Sequence, residues 1–257
     1  MIMTVKSQAE LDNTPQDCNY EIHIAFGTRT KPAIIKNRSD CIVAGHYYAT
    51  ARNDSVVRAV DHAHIRALTN AVVIANDNVQ VIASDVANVQ ALGNTIVWAK
   101  NRCNITAMNN TIVLAEDSCN IAAWDDAIIR TKGHCNIETH THATGIFQTE
   151  TGENPQKCKA FGSSTIVALS QARVEANDHS VVICRDRGYM RLNDCSNGIG
   201  CDNAKIKACD DSMAIANEGT TLRLRNEAVA CCDTETTIDK TEPFMQSQIL
   251  QKLTLPF

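Results

Sequence analysis

The stretch TIVWAKNRCNITAMNNTIVLAEDS, residues 95–118, is one eight-residue unit written three times. Its third position holds Val97, Ile105 and Val113, and its fifth holds Ala99, Ala107 and Ala115. Followed outward in both directions, the unit recurs from about Tyr47 to Lys240. A fixed short period of this kind belongs to an array that grows along one axis, each unit packing on its neighbours. Side chains alternate along a strand, so positions one, three and five of the octad share a face, and they hold small, β-branched and small residues. Positions seven and eight are turn formers, as in Asp61-His62, Asp77-Asn78, Gly93-Asn94, Asn109-Asn110 and Asp178-His179. Asp, Asn and Gly tolerate the left-handed backbone that reverses a strand within two residues.

The fourth position decides how many octads make a coil. Ile82, Trp98, Leu114, Ile146, Val167, Ile183, Ile199 and Ile215 alternate there with Gln90, Thr106, Ala122, Glu138, Lys159, Glu175, Arg191 and Lys207. Arg66, Arg130 and Ile74 are the exceptions. Two octads therefore make one turn of 16 residues, with an apolar outer wall and a polar one. An antiparallel meander of hairpins would interrupt the apolar row at every step and give the segregation no cause. Across the Gly152–Pro155 interval the alternation of Ile146, Lys159 and Val167 is unbroken once residues 151–155 are set aside as an extruded loop. The pattern predicts an all-β fold, a parallel β-solenoid with two strands and about 16 residues per coil and roughly 12 coils over 47–240. Residues 1–46 are then an N-terminal cap with the first strands, and 241–257 a C-terminal capping segment. In that last segment Phe244, Met245, Ile249, Leu250 and Leu253 suggest a short amphipathic helix.

Gly198 and Gly200 occupy both core positions of their octad, where the preceding octad has Met190 and Leu192. The larger pair should cross the core and fill the space over the glycines. Leu222 and Leu224, beside Ala214, Ala216 and Ala230, look like a second such exchange.

The octads resemble the octapeptide-repeat arrays of poorly characterised prokaryotic and phage proteins, with units of the form xVxAx(D/N)xA. The likeness covers about three quarters of the chain. It implies architecture and carries no activity or functional residue with it.

Composition agrees with a thin core: hydrophobic residues are 44% of the chain and aromatic ones 4%. A net charge of −5 favours no bulk attraction to nucleic acid. The polar N-terminus and the lack of any long apolar run argue for a soluble, cytoplasmic protein without a membrane partner. Of the 12 cysteines, Cys103, Cys119 and Cys135 share one small-residue column and should be buried, reduced thiols. No Cys or His spacing suits a zinc site, so no metal and no cofactor is expected. Turn acids such as Asp125-Asp126 and Asp210-Asp211 sit where every octad wants a turn, and no nucleophile elbow or phosphate loop is present. The sequence thus points to no enzyme and to no catalytic residue.

Function must lie on surfaces. The apolar outer wall groups Ile82, Ile96, Trp98, Ile112, Leu114 and Ile128 with Val181, Ile183, Ile199, Met213 and Ile215. A 15-residue tail, about 20 Å as a helix, is too short to cover such a row, so the expected cover is a second copy of the chain, a homodimer. On the opposite wall Asn88, Asn104, Asn120 and Asn136 form an asparagine row suited to stacked amides. A basic row follows: Lys157, Lys159, Arg173, Arg191, Lys205, Lys207, Arg223 and Arg225, with Tyr189 its one aromatic. Turn acids from Asp178 to Asp211 would offset that charge; otherwise it is an anion or nucleic-acid backbone site. The overall expectation is a rigid scaffold that self-associates and binds a macromolecular partner. Blockade of a host factor by a phage protein is the alternative, and a glycan-active enzyme a more distant one. His140 and His142, two apart, are the one pair with a metal-chelating spacing.

Overall fold

The computed structural model describes residues 2–16, 21–148, 156–233, 235–238 and 249–252. The chain is a parallel β-solenoid of two sheets, with about 16 residues per turn and about 14 turns. It divides into two compact units, one of residues 1–122 with 126–128 and one of 123–125 with 129–257. In the first unit the polar wall runs from strand Ile2–Val5 through Glu21–Ile24, Cys41–Val43 and Val56–Ala59 to Asn104–Ala107. Its apolar wall runs from Ala33–Lys36 to Ile112–Asp117. In the second unit the corresponding walls run from Asn136–Thr139 to Thr237–Ile238 and from Thr144–Gln148 to Ile249–Lys252.

Each octad pairs with the one 16 residues away, as Val97 does with Val81 and Val113. That register already holds for Ala33 with Ala49 and Cys41 with Val57, so the coils begin before the octads become legible at Tyr47. Past the extruded loop Asn136 pairs with Lys157 and Thr144 with Thr165, a separation of 21 rather than 16. Five residues have left the ladder there without disturbing it.

The core lies between the walls and is built from positions one, three and five. Thr95, Val97, Ala99, Cys103, Ile105 and Ala107 are all buried. Each central Val or Ile contributes roughly 1.5–3 kcal/mol of apolar burial. The hydroxyl at a first position is satisfied locally, since Thr95 Oγ1 donates to Leu92 O at 2.7 Å and Thr111 Oγ1 to Met108 O at 2.7 Å.

The seventh position is left-handed in turn after turn, with φ of 61° at Asp61, 57° at Asn109, 56° at Asp178 and 58° at Asp186. An aspartate there does more than tolerate the backbone. Its carboxylate reaches back one coil and accepts the backbone N–H of the equivalent residue: Asp178 from Gly162 at 2.8 Å, Asp186 from Ser170 at 3.1 Å, Asp194 from Asp178 at 3.3 Å. The turn aspartates thus satisfy donors that the reversal leaves outside the sheets.

The glycine rung packs partly as its sequence suggests. A Cβ on Gly198 would lie 2.6 Å from both Leu192 Cδ1 and Met190 Sδ, so these side chains do fill its space. Gly200 is instead covered by Ile206 and Thr220, from the octads that follow. Leu222 and Leu224 are buried beside the alanines. Another exchange escaped notice: Phe147, fully buried, lays its ring over Gly145 of its own strand.

The ends differ from the repeat. The C-terminal segment expected to be helical is strand where it is described, Ile249–Lys252, paired in parallel with Val229–Cys232 through a register shift. An open sheet edge presents unpaired N–H and C=O groups, and one more strand satisfies them where a helix could not. The rest of that segment, with Phe244, Met245 and Leu253, lies outside the described residues. At the other end the helix Gln8–Asn13 starts with a capping box: Glu10 N–H donates to Ser7 Oγ and Lys6 N–H to Glu10 Oε2.

Candidate interaction surfaces

Three surfaces follow from which side chains the pleat turns outward. On the apolar wall of the first unit, Ile82, Trp98 and Leu114 stand in one column in register, and Ile96 and Ile112 in the next. Ile82 is 50% exposed and Trp98 37%, and Ile128, also in this unit, is exposed too. Arg66, in register with Ile82, ends the first column with a charge. In the second unit Ile146, Val167, Ile183, Ile199 and Ile215 form an unbroken apolar column. Its neighbour column is mixed, with Thr165, Val181, Asn197, Met213 and Val229 in turn. All eleven residues singled out from the sequence therefore lie on outward faces of one wall, distributed over two units.

The polar wall changes character along its length. In the first unit Asn104 Nδ2 donates to Asn88 Oδ1 and Asn120 Nδ2 to Asn104 Oδ1, both at 2.9 Å. These amides are spent on each other as a ladder. The same geometry recurs in a turn column, where Asn193 Nδ2 donates to Asn177 Oδ1 at 3.0 Å.

In the second unit Lys157, Arg173, Tyr189 and Lys205 occupy one outward column and Lys159, Glu175, Arg191 and Lys207 the other. Arg223 continues the latter in register with Lys207. Arg225 falls beyond the end of strand Thr221–Leu224, in the turn, and so leaves the row that the sequence assigned it to. The acids that meet the basic row also differ from those expected. Glu138 lies 3.8 Å from Lys159 and Glu175 4.0 Å from Arg191, both on the wall itself. Asp178, Asp186 and Asp194 direct their carboxylates along the turns, where the backbone N–H groups need them.

A cleft of about 960 Å³ opens where this wall meets a turn, lined by Gln171, Arg173, Arg187, Tyr189, Asn203 and Lys205. The sequence flagged Arg173 and Lys205 but not Arg187, Gln171 or Asn203. The signal was present: the eighth position of one octad and the second of the next flank a single inward residue, so they share a surface. A second groove, about 500 Å³, lies on the apolar wall of the first unit beside Trp98 and includes Arg29, Arg66 and the stacked rings of Tyr48 and His64, 4.1 Å apart.

The histidines are occupied by stacking. His46 and His62 meet at 5.0 Å, one coil apart. His140 is sandwiched between Trp124 at 4.8 Å and Phe161 at 5.0 Å, both rings nearly parallel to its own. Among the described residues no group of three His, Cys, Asp or Glu side chains is placed to hold a metal ion.

The cysteine column is buried, as its spacing implies. Cys103 Sγ donates to Lys100 O, and its hydrogen bond with Cys119 together with burial holds the thiol far above its ordinary range. Burial likewise raises Cys158 and pushes Cys184 up to about 12. A thiolate is the reactive form, so these three should resist alkylation in the folded protein while exposed Cys195 reacts at neutral pH. Mass spectrometry of iodoacetamide-labelled peptides, with and without denaturant, checks this; labelling of Cys103 as fast as Cys195 would contradict the burial.

No helix among the described residues is long and apolar enough to cross a membrane. Compared with known proteins, the chain matches no family model, no curated protein and no solved structure.

Proposed function

We propose that the chain is a non-catalytic binding scaffold that pairs with a second copy of itself through the outer face of its apolar wall. One observation carries this: outward Ile, Val, Leu and Trp side chains are confined to one wall, while the other wall carries amides and charges. Soluble monomers seldom expose contiguous apolar patches beyond a few hundred Å². The occupant follows from the chemistry of the patch. A two-fold interface brings the same surface against itself, so it must be self-complementary. A charged face repels its copy; a flat ladder of uncharged β-branched side chains does not, and two such sheets pack about 10 Å apart. A stable dimer needs about 800 Å² per partner, which calls for most of the wall's outward columns. The octad resemblance places such a scaffold among prokaryotic or phage repeat proteins.

Sedimentation equilibrium tests the proposal. The expected mass is twice the 28.1 kDa of one chain, falling to one chain in Trp98→Glu with Leu114→Glu. Lys207→Glu, on the opposite wall, should leave the dimer intact and serves as the control. A wild-type chain that stays monomeric at about 100 µM, well above the dissociation constant of ordinary complexes, would overturn the idea.

A further inference from the structure

The cleft around Tyr189 is a grid of two columns by three coils. Arg173, Tyr189 and Lys205 stand in register on the polar wall, and Gln171, Arg187 and Asn203 stand beside them in the turn. Tyr189 is 37% exposed, an aromatic ring in a column that otherwise holds asparagines, basic residues and Thr221. Three cations surround it, one on the coil before, one on the coil after and one across the turn. Among the described residues none of Arg173, Arg187 and Lys205 makes an ion pair. The nearest acids are engaged elsewhere: Glu175 faces Arg191 at 4.0 Å, and the Asp186 carboxylate accepts the Ser170 N–H at 3.1 Å.

Convergent unpaired guanidinium and ammonium groups suit a phosphate, which arginine binds through paired N–H donors. An exposed ring at their centre suits a planar partner, since a base stacks on an aromatic face whatever its identity. The volume of about 960 Å³ lies within the range of small-molecule sites. The second unit's other outward basic residues, Lys157, Lys159 and Lys207, stand in columns with no aromatic beside them apart from Tyr189. The combination is local.

We propose that this cleft binds a mononucleotide, its base stacked on Tyr189 and its phosphate held by Arg173, Arg187 and Lys205. The proposal is independent of self-association, because the cleft lies on the wall opposite the apolar face.

Calorimetric titration with adenosine 5′-monophosphate, adenosine and ribose 5-phosphate tests it. The nucleotide should bind saturably and about tenfold or more tighter than either fragment, with affinity falling as salt rises. Tyr189→Leu should weaken the nucleotide about tenfold and leave ribose 5-phosphate unchanged. Arg187→Ala should weaken both phosphates by a similar factor. Circular dichroism of each variant guards against a folding defect, and both substitutions lie on the outer surface. Equal affinity for the nucleotide and ribose 5-phosphate would reduce the site to a charge patch and overturn the proposal. So would no heat at millimolar nucleotide. A ten-residue oligothymidylate binding far tighter than the mononucleotide, and losing as much on Lys207→Ala as on Arg187→Ala, would show a polymer track in its place. The sedimentation result does not bear on any of these outcomes.

Discussion

Leu192→Ala should cost about 4–5 kcal/mol, near the top of the range for buried leucine truncations, whereas Val182→Ala in the adjoining strand should cost about half of that. The difference lies in what surrounds the hole. Leu192 and Met190 fill the space that a side chain on Gly198 would occupy, with atoms 2.6 Å from the position of its missing Cβ. When the leucine is cut back, the facing residue has no side chain to lean into the gap, and the cavity stays open. The cavity term grows with residual volume, so the site that can collapse least is the most costly.

The reciprocal change gives the argument a sign. Gly198→Val alone inserts atoms into filled space and should cost about 1–3 kcal/mol. Combined with Leu192→Ala it should cost less than the sum of the two single changes, because the new valine occupies volume that the leucine vacated. Urea unfolding of the four proteins checks the cycle. Additivity within about 0.5 kcal/mol would mean that the two side chains do not share space.

Why the sequence disclosed one half of this rung and not the other is a matter of geometry along the axis. A 16-residue register puts like positions above one another, so walls, faces, turns and the extruded loop can all be read from spacing. What crosses between walls depends on side-chain direction, and Gly200 turned out to be covered by Ile206 and Thr220 rather than by the octad before it. Phe147 over Gly145 obeys the two-residue rule of a strand and was legible in principle. It was hidden because its octad is imperfect. The stack of Trp124, His140 and Phe161 follows the sixth position of successive coils, with the five-residue loop disguising the second interval. Viewed singly, each ring looks like an ordinary surface residue.

The turn acids show how a correct placement can still mislead about charge. Asp178, Asp186 and Asp194 were placed in turns from their spacing alone, and they are there. Their carboxylates, however, serve backbone N–H groups one coil away, a partner that no side-chain pattern displays. The basic row is therefore balanced by Glu138 and Glu175 only where those acids happen to stand. That leaves the Tyr189 cleft electropositive although the chain as a whole carries a net charge of −5.

At the N-terminal end, Arg38→Met should lower stability by about 3 kcal/mol and make the protein prone to associate through its sheet edges. Arg38 is 7% exposed, and its guanidinium donates to Leu11 O at 2.7 Å, Thr14 O at 2.6 Å and Pro15 O at 3.2 Å. These carbonyls end the helix Gln8–Asn13 and the segment after it, where no intrahelical donors remain. A methionine fills much of the same volume yet donates nothing, and each buried carbonyl left without a partner costs about 1–3 kcal/mol. The helix matters because of what it covers. Strand Ala33–Lys36 is the first of the apolar wall, and the Gln8 amide closes its open edge by donating to Ile34 O at 3.0 Å and accepting the Ile34 N–H at 2.9 Å. One side chain thus stands in for the missing neighbour strand. If the helix loosens, that edge is presented to other chains, and an uncapped repeat array tends to aggregate. Gln8→Ala separates the two effects, since it bares the edge while leaving the Arg38 contacts in place. Thermal unfolding followed by light scattering should show early aggregation in both variants, with a large loss of stability in Arg38→Met alone. Equal melting of Arg38→Met and the wild type would mean that the helix is a passenger on the first coil and not its cap.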